Sequence, residues 1–184
     1  MTEHGTEFTA VLRFWFEEAG TKAWWTPDPG FDGTIRRRFA ALYGRATQGE
    51  LVDWRAQPQG RLAEIIVLDQ FSRNLFRGSA SAFAQDLAAL VLAQEAVSAG
   101  AHLTLEPAQT VFLLLPYMHS ESREVHATAE RLFREFAPAE NLDFEMRHKA
   151  IIDRFGRYPH RNEALGRAST PEELEFLGQP GSSF

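Results

Sequence analysis

Apolar residues recur at three- and four-residue spacing along almost the whole chain, and nowhere do they alternate with polar residues for long enough to make a strand. No Asn-Gly or Asp-Gly pair is flanked by such alternation. A chain patterned this way buries its apolar surface by packing helix on helix, so an all-α fold is expected.

The stripes can be followed in order. Phe8, Val11, Leu12, Trp15 and Phe16 form the first, ended by Gly20. Residues 21–31, with two prolines and a glycine, read as a loop held down by Trp24 and Trp25. Asp32 is placed to cap a helix bearing Ile35, Phe39, Leu42 and Tyr43. A third helix is expected from near Pro58 to about Phe76, stopped by Gly78. Ser79 or Ser81 then caps one with Phe83, Leu87, Leu90, Val91 and Val97 inward, and Thr104 caps one reaching Met118, with Pro116 in its last turns. Ser120 or Ser122 opens the next, and Pro138 separates it from one carrying Phe144, His148, Ile151, Ile152 and Phe155, ended by Gly156. Thr170-Pro171-Glu172-Glu173 combines an N-cap, a proline at the first helical position and a glutamate at the third.

At 184 residues, with no linker in the pattern, the chain is expected to form a single domain over 1–184, with mobile ends at 1–5 and 179–184. The absence of cysteine excludes disulfides, thiolate nucleophiles and cysteine-ligated metals. A net charge of −6 argues against a nucleic-acid partner. The polar N-terminus and apolar runs far short of the ~20 residues that span a bilayer point to a soluble cytoplasmic protein without a membrane partner. There is no GxSxG elbow, P-loop or GxGxxG, so no cofactor is expected.

Charge stands in the wrong place at two points. In the third helix Asp69 and Arg73 fall on the apolar face with Leu62, Ile65, Ile66 and Phe76, while Val67, Leu68 and Phe71 occupy the other side. A helix apolar nearly all round is central, and a buried charge must be paired. The two residues at i,i+4 make a ready structural ion pair, and the same pair can belong to a ligand site. The second point is residues 147–161, which carry a net +4 against −10 for the rest. Seventeen of the 19 basic residues are arginine, whose planar fork matches carboxylate or phosphate. The arginines around Arg157 either cap helix carbonyls or converge on an anion.

Among the histidines, His148 reads as a core residue, while His119 and His160 lie in turns, where side chains reach into clefts. A His119–Glu121–His160 metal set has no supporting spacing, so no metal site is expected. His4, His102 and His126 show no special context. Trp15, Trp24 and Trp25 read as core and loop staples in preference to a stacking wall for a ligand.

Five segments carry a resemblance: Val11 to Phe16 (VLRFWF), Trp24-Trp25, Leu68 to Gly78 (LDQFSRNLFRG), Leu115 to Glu121 (LPYMHSE) and Arg154 to Asn162 (RFGRYPHRN). In these the chain resembles the bacterial domain-of-unknown-function family 924. The resemblance implies an all-α, tetratricopeptide-like array of seven to nine helices stacked as antiparallel pairs. It implies no activity and no residue roles. Its motifs contain Asp69, Arg73, Arg77, Arg157 and Arg161, and these are the candidate ligand-binding residues. A small anion, phosphate or carboxylate, would be held by Arg73, Arg77 and Arg157, with Asp69 orienting Arg73 and His119 or His160 giving a proton. Two alternatives stand beside this: a module that binds a peptide or protein on a concave helical surface, and a hydrolase using His119, Glu121 and His160 as acid–base groups.

Overall fold

The computed structural model describes residues 3–183, with nine α-helices and no strand among them. They are α1 (Glu3–Arg13), α2 (Thr21–Trp25), α3 (Pro29–Thr47), α4 (Pro58–Leu75), α5 (Asp86–Ser98), α6 (Pro107–Met118), α7 (Arg123–Phe136), α8 (Ala139–Phe155) and α9 (Pro171–Leu177). Short 3-10 turns precede α4, α5 and α6, and one at Pro159–Arg161 follows α8. None of the described helices is long and apolar enough to cross a membrane. Residues 1, 2 and 184 of the expected mobile ends lie outside the described residues. Within those ends Glu3 opens α1, and Ser182 is buried with its hydroxyl donating to the Leu177 carbonyl.

Helix α4 is the axis of the fold. It packs against α1, α3, α5 and α6, and from α5 onward each helix packs on the next through α8. Its Leu62, Ile65, Ile66, Val67 and Phe71 are all sealed from solvent, as a helix apolar all round requires. The approach at its start is close enough to demand glycine: a Cβ on Gly60 would lie 2.1 Å from the Trp54 carbonyl oxygen. A second, smaller cluster of Ile151, Ile152 and Tyr158, with Phe155 and Phe176 against it, closes the C-terminal end.

Local chemistry moves several boundaries. The segment after Gly20 is not all loop, because α2 fills residues 21–25, and Trp24 staples it by donating from Nε1 to the Trp15 carbonyl at 2.9 Å. Helix α3 is capped by Asp28, not Asp32: the Asp28 carboxylate accepts from the amides of Gly30 and Phe31, and Pro29 takes the first helical position. Helix α5 begins at Asp86, beyond both serines proposed as caps, and turns Ala89, Ala93 and Ala96 inward while Leu87 and Val91 stay exposed. Small residues let it lie close against α4 and α6. Helix α6 starts after Glu106, whose amide donates to Gln109 Oε1, and not at Thr104. At the other end of the chain, Thr170 and Glu173 form the reciprocal cap the sequence indicates.

Candidate functional site

Four elements converge on one polar cluster. Helix α4 supplies Asp69 and Arg73 one turn apart, α5 supplies Asp86 at its first turn, the end of α6 supplies His119, and the 3-10 turn after α8 supplies Arg161. Asp69 is fully buried. Its Oδ1 accepts from Arg73 Nη1 at 3.0 Å and lies 2.8 Å from His119 Nδ1, while Oδ2 accepts from Gln70 Nε2 at 2.6 Å. Arg73 reaches on to grip Asp86 with both terminal nitrogens, at 3.0 and 3.1 Å, and Arg161 Nη1 donates to Asp86 Oδ2 at 3.1 Å. Arg161 is 6% exposed and lies 4.7 Å from the Phe83 ring and 4.5 Å from the Tyr158 ring. Its Nε has no hydrogen-bond partner.

Ionisation follows from this packing. Burial alone would raise Asp69, but the charge of Arg73 and the hydrogen bonds it accepts from His119 and Gln70 hold its carboxyl well below the usual carboxylate range. Burial, and then the Arg73 charge, lower His119 in spite of Asp69. Burial pushes His160 down to about 4, with Arg161 adding to the shift. Arg161 itself is lowered by burial and by Arg73, against the pull of Asp86. At neutral pH the cluster therefore holds an ionised Asp69, two guanidinium groups and uncharged His119 and His160.

Behind it lies a second polar set that the sequence did not disclose. Tyr158 is fully buried and donates its hydroxyl to the Met118 carbonyl. Its oxygen is 3.1 Å from His126 Nε2, which also lies 2.9 Å from the Ser120 carbonyl and so carries a hydrogen. His126 Nδ1 is 2.7 Å from Glu145 Oε1, both side chains have no exposure, and burial raises Glu145 against the opposing pull of His126. A proton therefore sits between that nitrogen and that oxygen. His148, the expected core histidine, is buried, and its Nδ1–H donates to the Phe144 carbonyl at 2.7 Å. The periodicity held the signal for this set: His126 shares a face with Ala129 and Phe133, and Glu145 with His148 and Ile152.

Of the candidate residues, the structure brings Asp69, Arg73, His119 and Arg161 together, with His160 tilted against Tyr158 at 5.5 Å between ring centroids. It does not bring Arg77 and Arg157 there. Arg77 is held bidentately by Asp32, at 2.8 Å for both bonds, and Arg157 by Glu173, at 2.6 and 2.8 Å. Glu121 accepts two bonds from Arg167 and one from the Tyr158 amide, which makes it a brace for the turn. The basic stretch is likewise shared out, with Lys149 on Asp153 and Arg154 over the Phe155 ring. Among the described residues no three His, Asp or Glu side chains gather as metal ligands would.

Away from the cluster, a groove of about 500 Å³ opens between the end of α3, the middle of α4 and the start of α5. Leu68, Leu87 and Val91 are among its walls, and the Arg55–Glu64 pair lines it too, Arg55 donating to both Glu64 oxygens at 2.7 Å.

The chain is similar to the solved structure of a protein of unknown function from Agrobacterium tumefaciens, with 34% sequence identity, a TM-score of 0.91, and coverage of 95% of this chain and 98% of that one. No curated protein matches it. The sequence also matches, over residues 11–181, the family described as bacterial proteins of unknown function, DUF924. With nearly its whole length inside that match, the chain belongs to this family.

Proposed function

We propose that the protein binds a small anionic ligand, phosphate or carboxylate, against Arg161 and Arg73 beside His119. Arg161 carries the reading. It is a guanidinium 6% exposed, with one hydrogen bond made and Nε unpartnered, and an unfilled buried donor costs about 1–3 kcal/mol. With aromatic rings against its faces, the edge of the fork is where an anion oxygen would enter. Asp86 already occupies part of both forks, so an incoming anion competes with it.

Thermal melts with inorganic phosphate, a small dicarboxylate and an acidic peptide test this. Ligand at about a hundredfold over Kd stabilises by about 2.7 kcal/mol, a shift of several degrees for a chain of this size. Phosphate or dicarboxylate is expected to raise the melting temperature of the wild type and of Arg157→Ala but not of Arg161→Lys. No shift, or an equal shift in Arg161→Lys, refutes the reading.

The groove beside α5 favours a second reading, a tetratricopeptide-like array that docks a peptide on an apolar surface. Stabilisation by the peptide alone, abolished by Val91→Glu and indifferent to Arg161→Lys, would favour it.

A further inference from the structure

We propose that Nε2 of His119 is a nucleophile that accepts a phosphoryl group from a small phosphodonor, with Arg73 and Arg161 holding the phosphoryl oxygens. The inference rests on the anion-binding reading above and commits it to phosphate.

The tautomer is dictated by Asp69. That carboxylate is ionised and can only accept, so the 2.8 Å contact places a hydrogen on His119 Nδ1 and leaves the lone pair on Nε2. Gln70 and Arg73 fix the carboxylate in place, which in turn fixes the ring. Nε2 takes no hydrogen bond from the described residues and is not among the buried unpartnered atoms, and the side chain keeps 15% exposure. Neighbouring imidazoles are spent differently. His126 has both nitrogens engaged at zero exposure, and His148 is buried with Nδ1 on a carbonyl. An oriented, uncharged imidazole backed by a buried carboxylate, whose Oδ1 it shares with the Arg73 guanidinium, is the arrangement that covalent catalysis at histidine needs.

In the step, the Nε2 lone pair forms a bond to phosphorus, the bond from phosphorus to the leaving oxygen breaks, and that oxygen departs with the electron pair. A carboxylate leaving group needs no proton. The phosphorylated ring becomes cationic, keeps its Nδ1–H, and is stabilised by Asp69 across the existing contact. Water then attacks phosphorus, forming a P–O bond and releasing one proton to solvent, while the electron pair of the nitrogen–phosphorus bond returns to Nε2, which frees inorganic phosphate and restores the uncharged ring.

The experiment incubates the full chain with acetyl phosphate and follows intact mass, with peptide mapping in alkaline conditions that preserve phosphohistidine. One phosphoryl group on the peptide containing His119 is expected. It should be absent from His119→Gln, retained in Arg157→Ala, and formed more slowly in Arg161→Lys by about tenfold or more, the worth of one charge-assisted hydrogen bond. Mapping the wild type needs no variant to fold, so the site assignment stands or falls on that chain alone. No adduct, or an adduct elsewhere, overturns the inference. If phosphate stabilises the wild type through Arg161 yet no adduct forms, phosphoryl transfer fails and anion binding stands; if neither is seen, both fail.

Discussion

Acid should destabilise this protein because the fold buries several histidines in the uncharged form, and His148 carries a full share of the effect. Its ring is buried, donates from Nδ1 to the Phe144 carbonyl, and meets Tyr158 edge-on with centroids 5.8 Å apart. Burial pushes its pKa down to about 3 from the usual 6.5. The folded state therefore takes no proton there at pH 5, whereas the unfolded chain does. Because the unfolded state binds more protons, stability falls as pH drops from about 6.5 towards the folded value, at about 1.4 kcal/mol per pH unit for each such group. From neutrality to pH 5 the His148 share is about 2 kcal/mol, or about 4–8 °C in Tm for a chain of this length. His160, lowered to about 4, acts in the same direction but is only half-buried, whereas Glu145, with its pKa raised, opposes the trend above its unfolded value. Denaturant unfolding of wild type and His148→Gln at several pH values between 5 and 7 isolates the effect. The dependence of unfolding free energy on pH should be shallower in the variant by close to one proton. Equal slopes in the two proteins would refute the assignment of a buried, uncharged His148.

Three further outcomes follow from the packing. Gly60→Ala puts a Cβ against the Trp54 carbonyl, a rigid backbone neighbour, and should cost about 2–3 kcal/mol in chemical denaturation. Arg55→Ala strands the buried Glu64 carboxylate and should cost about 3 kcal/mol, whereas the Arg55→Met, Glu64→Leu double variant should recover most of it; urea melts of the three chains check this. Asp86→Asn removes the carboxylate that competes for Arg73 and Arg161, so calorimetric titration should show tighter phosphate binding than in the wild type.

The fold was legible wherever a stripe had one apolar side. Helix α4 declared itself by being apolar all round with a charged pair one turn apart, and Thr170 with Glu173 announced α9. Helix α5 was legible as a helix but not in its rotation, because a segment rich in Leu, Val and Ala on every side does not say which face is inward. The close approach to α4 and α6 selected the alanines. Asp32 looked like a cap because it precedes an apolar stripe, yet its carboxylate serves Arg77 and Asn74, residues more than forty positions away. The site shows the same division. Asp69 and Arg73 are neighbours on one helix and could be paired from spacing. Asp86, Tyr158, His126 and Glu145 meet only in the folded chain, and the partners that occupy Arg77 and Arg157 come from distant segments. A positive stretch in sequence is thus shared out among local carboxylates and rings, and among the described residues the one arginine with a buried nitrogen left without a partner is Arg161.

The most direct measurement is a phosphate titration followed by imidazole NMR on uniformly labelled protein. The ring signals of His119 and His160 should move together and saturably, those of His126 and His148 should stay in place, and Arg161→Lys should abolish the response. Signals of His119 that do not move at saturating phosphate, or shifts confined to histidines outside the cluster, would contradict anion binding there.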